Sequence, residues 1–249
     1  MKRLIFFFLM LQLSIPGYVL ALDSKEDLDF SSKEFIDHWG TVSPKFQKLK
    51  KKIEKDFQRF EKSEEFLRRL FYRSQLHLLY DYNQYASINE LIETGKFDCV
   101  SGSLLMASFL DYYEFDYEII ETSYHVFIKV RLANQLIVLE STDENGYLTH
   151  EEEVTAYLKN VEKDSKQSNL YLDPKDIPIK SLIQPSIYRA INIRQLKGLE
   201  YFNRAIFLNN QAAYNLAYEK AKAAEILYPS ERIVVLRRLL EQQLVLAQN

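Results

Sequence analysis

Gly95-Lys96-Phe97-Asp98-Cys99-Val100-Ser101-Gly102-Ser103, continued by an almost wholly apolar run to Tyr113, is the segment from which the architecture of this chain can be worked out. An apolar run of that length without an amphipathic pattern predicts a buried helix, and Cys99 stands at or just before its N-terminus. Downstream the period changes. Tyr117 to Thr122, Tyr124 to Arg131 and Gln135 to Ser141 are rich in Ile, Val, Tyr and Phe. They read as three strands, with the alternation clearest at Tyr124, Val126, Ile128 and Val130. A buried helix opened by Cys against a small antiparallel sheet predicts an α+β fold.

Toward the N-terminus, Ser43-Pro44 supplies an N-cap followed by proline in the first turn, and Phe46, Leu49, Ile53, Phe57 and Phe60 share one helical face. A second helical stretch runs from Glu65 to about Tyr82 through Phe66, Leu67, Leu70, Phe71, Leu76, Leu79 and Tyr80. The lysines at 48, 50, 51, 52 and 55 read as a solvated helix face rather than a membrane patch, because Glu54 and Asp56 interrupt them. Toward the C-terminus, Thr149 with Glu152 is a candidate capping box for a short helix. Residues 159–186, with Pro174, Pro178 and Pro185, read as a connector, and residues 187–249 as a helical tail. In that tail the spacing of Tyr201, Ala205, Ala217, Ala224 and Pro229 resembles one tetratricopeptide repeat, with Arg204 where that pattern prefers an apolar residue. An ordinary helical hairpin is the other reading. A single repeat cannot bury its own face, so the tail is expected to pack on the rest or on a protein partner.

The 249 residues, 47% hydrophobic and 27% charged, suffice for a sizeable core. A net charge of -3 argues against a dedicated nucleic-acid binder. One cysteine excludes an intramolecular disulfide and any cysteine-cluster metal site built by this chain alone. Residues 1–21 open with Lys2 and Arg3, continue with the apolar run Leu4 to Leu11 and end on Val19-Leu20-Ala21, the pattern of a signal peptide cleaved after Ala21. Loss of Lys2 and Arg3 takes the charge from -3 to -5. An uncleaved signal anchor is the alternative. On the first reading the mature protein is exported, periplasmic or secreted, with no stable membrane insertion after cleavage. Residues 22–158 then form one domain with its N-terminal helices.

A thiolate at a helix N-terminus is stabilised by unsatisfied backbone N–H groups, which makes Cys99 a candidate nucleophile. It needs a base, and the base an orienting acid. Of the four histidines only His125 falls in a predicted strand. If the strands from Tyr124 and from Gln135 close as an antiparallel hairpin around Leu132-Ala133, then His125 stands directly opposite Glu140, and Asp143 faces Thr122. His38 beside Trp39, His77 within a helix and His150 at a helix start read as packing or surface residues, and their scatter gives no metal site. Ser101-Gly102-Ser103 reads as small residues that allow close helix packing.

Taken together, Gly95 to Ser103, Tyr124-His125-Val126-Phe127 and Leu139-Glu140-Ser141-Thr142-Asp143 resemble the core of transglutaminase-like proteins, which have the papain-like cysteine fold. The resemblance covers about 60 residues, or residues 60–150 with the preceding helices. It implies Cys99 as nucleophile, His125 as general base and acid, and Glu140 as third member of a catalytic triad, with no cofactor. Some bacterial members similarly carry a helical repeat tail. Glu140-Ser141 replaces the family's usual aspartate and proline, and Phe127 its tryptophan. The resemblance implies an exported enzyme that hydrolyses or transamidates a peptide or protein substrate. The alternatives are a catalytically inactive scaffold acting through its tail, or a peptide-binding module using the same cleft.

Overall fold

The computed structural model describes residues 30–167 and 187–247. The expected signal peptide and the three prolines of the connector lie outside them. Three helices open the described chain: α1 (Ser32–Val42), α2 (Pro44–Phe60) and α3 (Glu64–His77). Each begins where a serine hydroxyl accepts a backbone N–H three residues on, at Ser31, Ser43 and Ser63, and Pro44 occupies the first turn of α2. Phe46, Leu49 and Ile53 of α2 have no exposed surface and face the core.

A two-residue strand β1 (Asp81–Tyr82), helix α4 (Ile88–Thr94) and strand β2 (Lys96–Phe97) lead into α5 (Cys99–Tyr112). Helix α5 is the axis of the molecule. Every residue from Val100 to Leu110 is buried, as its unbroken apolar sequence requires. The chain then builds β3 (Asp116–Thr122), β4 (Val126–Leu132), β5 (Gln135–Leu139) and β6 (Tyr147–Leu148), followed by α6 (Glu151–Gln167). Strand β7 (Tyr188–Ile191) completes a five-stranded antiparallel sheet in the order β6-β5-β4-β3-β7. Val126, Ile128 and Val130 join the main core that contains α5. Ile120, Phe127 and Val138 point the other way, to Val154 and Val161 of α6. The sheet thus has a helix on each face, a mixed α+β architecture.

Several sequence expectations change, first among them the second helical stretch, which ends at His77 rather than near Tyr82, while Asp81–Tyr82 is a strand. The β4–β5 hairpin pairs Val130 with Ile137 and Leu132 with Gln135, two residues out of the register that set His125 directly opposite Glu140. The turn forms at Ala133-Asn134, with Ala133 at φ 51, a conformation strained for a residue with a Cβ that the pairing of Leu132 with Gln135 imposes. Tyr124 is no core residue: it is 51% exposed in the β3–β4 turn, and β4 starts only at Val126. Helix α6 starts at Glu151 and runs 17 residues, through Lys159 and well into the expected connector, rather than forming a short helix capped by Thr149. Tyr188 to Ile191 forms a strand rather than helix, because β3 offers an edge on which these residues pair.

Helices α7 (Ile193–Asn210), α8 (Tyr214–Leu227) and α9 (Glu231–Ala247) form the C-terminal unit. Ala205, Ala217, Ala221 and Ala224 have no exposed surface, so small residues let these helices approach. The unit packs on the core through α7 against α5. Glu121 of β3, completely buried, accepts hydrogen bonds from Arg189 of β7, Tyr228 after α8 and Arg232 of α9. A buried carboxylate needs such partners, and here they fasten the C-terminal helices to the sheet.

Candidate active site

Cys99 owes its place to the turn before it. Helix α4 ends on Gly95 at φ +87, where a Cβ would lie 2.3 Å from the Tyr80 ring, so only glycine fits. Two residues of β2 pair with β1, and Asp98 then caps α5. Its Oδ1 accepts the N–H groups of Val100 at 3.0 Å and Ser101 at 2.8 Å, while the Ser101 hydroxyl accepts the Asp98 N–H at 2.9 Å. Asn203 of α7 donates to Asp98 Oδ2 at 3.3 Å, so the C-terminal unit reaches the cap of the cysteine helix. Burial, only partly offset by the hydrogen bonds of Ser101 and Asn203, pushes the Asp98 carboxyl up to about 6. Cys99 is the first residue of α5, partly accessible, and helix geometry leaves its N–H without an intrahelical acceptor.

His125 stands at the end of the tight β3–β4 turn. Its backbone N–H donates to Thr122 Oγ1 at 2.9 Å and its carbonyl accepts the Thr122 N–H at 2.8 Å, which fixes the residue just before β4. The imidazole lies nearly parallel to the rings of Tyr124 and Phe127, with centroids 6.3 and 6.5 Å away. Nε2 is hydrogen-bonded to Glu140 Oε2. Burial alone would lower the affinity of this ring for a proton. Hydrogen bonds to Cys99 and Glu140, with the negative charge both can carry, outweigh it and raise the imidazolium to about 10. With Nε2 on the glutamate, Nδ1 is the nitrogen left for the sulfur.

Glu140 follows β5 in a loop that closes on itself. Its N–H donates to the Gly146 carbonyl at 2.8 Å, and a Cβ on Gly146 would lie 2.2 Å from the Glu140 carbonyl oxygen. Oε1 accepts the Thr142 N–H at 2.9 Å and hydroxyl at 2.6 Å; Oε2 accepts the Tyr157 phenol at 2.6 Å as well as the imidazole. Burial opposes its ionisation, but His125, Thr142 and Tyr157 overcome this and lower the carboxyl below its ordinary value. The loop rests on α5 at Gly102, where a Cβ would lie 2.7 Å from Ser141 Oγ. The reading of Gly102 as a residue that permits close packing is what the structure displays.

The structure therefore brings Cys99, His125 and Glu140 together, although the pairing differs from the expected one. A shift of two residues leaves every side chain on its original face, so Glu140 still reaches the ring, diagonally rather than from directly opposite. Asp143 sits in the turn beyond Glu140, its carbonyl bonded to the Gly146 N–H, and does not face Thr122. Tyr157, Thr142 and Tyr82 were not found by sequence reasoning. Thr142 lay within the quoted motif and carried a signal. Tyr157 carried none, because its role depends on which helix covers the far face of the sheet. Burial, then the negative charge of Cys99, Asp98 and Glu140, pushes the Tyr82 phenol up to about 12, and its ring packs edge-on against Phe97, two residues before Cys99. His38 packs edge-on against Trp39 and His150 is exposed. Among the described residues no three His, Cys, Asp or Glu side chains are grouped to hold a metal ion, and no helix is long and apolar enough to cross a membrane.

A thiol at a helix start, an imidazole whose proton it helps to hold and a carboxylate held by three further donors form the set of groups that attack on a carbonyl carbon and proton transfer to a leaving group require. Comparisons of the chain with protein-family models, with curated proteins and with solved structures gave no match.

Proposed function

We infer that this protein is an exported cysteine-dependent acyl-transfer enzyme with a papain-like, transglutaminase-like core and a Cys99-His125-Glu140 triad. The observation that carries the reading is the His125 imidazole, held between Cys99 and a fully hydrogen-bonded Glu140 at the first turn of α5. In this mechanism the Cys99 thiolate forms a bond to the carbonyl carbon of an amide, and the Cys99 N–H faces the developing oxyanion. The imidazolium of His125 gives its proton to the leaving nitrogen, the C–N bond breaks, and an acyl thioester remains on Cys99. Water, or a second amine, then loses a proton to His125 and takes the acyl group as the C–S bond breaks, which regenerates the thiolate and the imidazolium. Glu140 holds the ring in one orientation and stabilises its cationic form.

The discriminating measurement is the rate of Cys99 alkylation by iodoacetamide between pH 5 and 9, in the parent chain and in His125→Ala. Alkylation that is already fast at pH 6 to 7 and is lost in His125→Ala supports the enzyme. A slow reaction that follows ordinary thiol titration and ignores the His125 substitution leaves the papain-like scaffold acting through its helical tail. Export is tested by the mass of the mature protein from its native host: an N-terminus at Leu22 supports it, and retention of Met1 to Ala21 overturns it.

A further inference from the structure

Helix α2 carries one outer face whose charged residues are all cations. At 3.6 residues per turn, Lys45, Lys48, Lys51, Lys52, Lys55 and Arg59 fall within an arc of about 120°. Glu54 and Asp56, which seemed to break this run in the sequence, do not share it. Glu54 turns to Lys50, and Asp56 is buried beneath Arg69 and Arg73 of α3. Among the described residues no carboxylate pairs with any of the six cations. Burial lowers the neighbouring His77 first, and the charges of Lys52, Lys48 and Arg73 lower it further, which places two of the lysines of this face near the ring.

An apolar ridge flanks this face. Tyr72 and Leu76 lie one helical turn apart on α3 and Tyr80 follows, folded back so that its hydroxyl donates to the His77 carbonyl at 2.6 Å. All three are exposed, Leu76 to 68%. Lys45 of the cationic face lies 6.0 Å from the Tyr80 ring centroid, which joins the two strips into one surface.

We propose that this surface docks on an anionic phospholipid bilayer. Lysines that have no carboxylate to neutralise suit lipid phosphates, and their apolar stems can lie along the headgroup region. Tyr72 and Tyr80 suit the same depth, and Leu76 is placed to enter the acyl boundary. The chain as a whole is acidic, so the attraction is local to this face. The face also borders the candidate active site. Gln75, next to Leu76, donates to the Ser141 carbonyl at 2.8 Å, one residue from Glu140. Docking would hold the mouth of the site close to the lipid surface.

Docking needs no reactivity from Cys99, so its test is independent of the proposed chemistry. The chain used is the mature form expected after cleavage at Ala21, which removes the apolar leader as a source of binding, and its folding is checked by its melting temperature beside that of the full chain. It is sedimented with vesicles of phosphatidylglycerol and phosphatidylethanolamine, and with vesicles of pure phosphatidylcholine, at low salt and at high salt. The expected result is retention on the anionic vesicles only, weakened at least tenfold by high salt and by the triple variant Lys48→Glu, Lys52→Glu, Lys55→Glu. Leu76→Ser weakens it severalfold, while Lys163→Glu on α6 leaves it unchanged. Folding of each variant is checked by its melting temperature, and the salt arm needs no variant. Equal binding to both vesicle types, no binding to either, or retention untouched by the triple variant and by Leu76→Ser overturns the proposal. Dimerisation through this face without lipid binding overturns it too.

Discussion

Gly102→Ala isolates the contact on which the geometry of the triad rests. At an open helical position, alanine in place of glycine would stabilise α5 by about 1 kcal/mol. Here the new Cβ would lie 2.7 Å from Ser141 Oγ and 2.9 Å from Ser141 Cβ, whereas ordinary contact begins at 3.4 Å. The hydroxyl can rotate away, but the Cβ can retreat only if the backbone of the loop moves, by about 0.5 Å. Overpacking of this kind costs about 1–3 kcal/mol, so the net destabilisation should be about 0–2 kcal/mol. The chemical effect should be larger. Ser141 follows Glu140 directly, and a displaced carboxylate loses its line to Nε2, with a fall of about tenfold in Cys99 alkylation at pH 7. The assay is iodoacetamide labelling read by mass, alongside thermal denaturation. Ser141→Gly removes both offending atoms, so the double variant should regain most of the rate and keep the helix gain. If Gly102→Ala alone is as stable as the parent and labels at the same rate, the loop does not rest on α5 as described and the reasoning fails.

Three further outcomes follow from the same coordinates. Glu140→Gln removes the anion that stabilises the imidazolium, so the His125 pKa should fall from about 10 and the onset of Cys99 alkylation should move to higher pH; an unchanged pH profile would mean that the carboxylate does not act on the ring. Asp98 is raised from 3.8 to about 6, so the stability linked to its protonated form is complete below 3.8 and is lost as pH rises through about 6. Asp98→Asn keeps an oxygen for the cap without a buried charge and should stabilise the protein by about 1–2 kcal/mol at pH 8 but not at pH 4, as read from urea midpoints; a less stable variant at pH 8 would show that the charged cap outweighs its desolvation. Arg232→Met takes a largely buried partner from the buried Glu121 and should cost about 2–4 kcal/mol, with Glu121→Gln in the same chain restoring part of it; a cost under about 0.5 kcal/mol would mean that Arg189 and Tyr228 suffice.

What could be read from residue order was whatever depends on near neighbours. The apolar run Val100 to Leu110 makes a buried helix wherever it packs, which puts Cys99 at its start, and Ser43-Pro44 starts a helix because the cap and its N–H partner are three residues apart. The side of the sheet on which Glu140 lies was also legible, since alternation survives any even slip of register. Long-range packing settled the rest. The β4–β5 pairing is set by the packing of both strands in the sheet, which holds Leu132 against Gln135 and puts the turn at Ala133-Asn134. Tyr157 reaches Glu140 because α6 covers one face of the sheet; Asn203 reaches Asp98 because α7 packs on α5; and Tyr188 to Ile191 is a strand because β3 had an edge to offer. The cationic face of α2 shows the same division. Lysine spacing is written in the sequence, but Asp56 leaves that face only because Arg69 and Arg73 arrive on a different helix to bury it, and no local pattern records a partner that folding alone brings near.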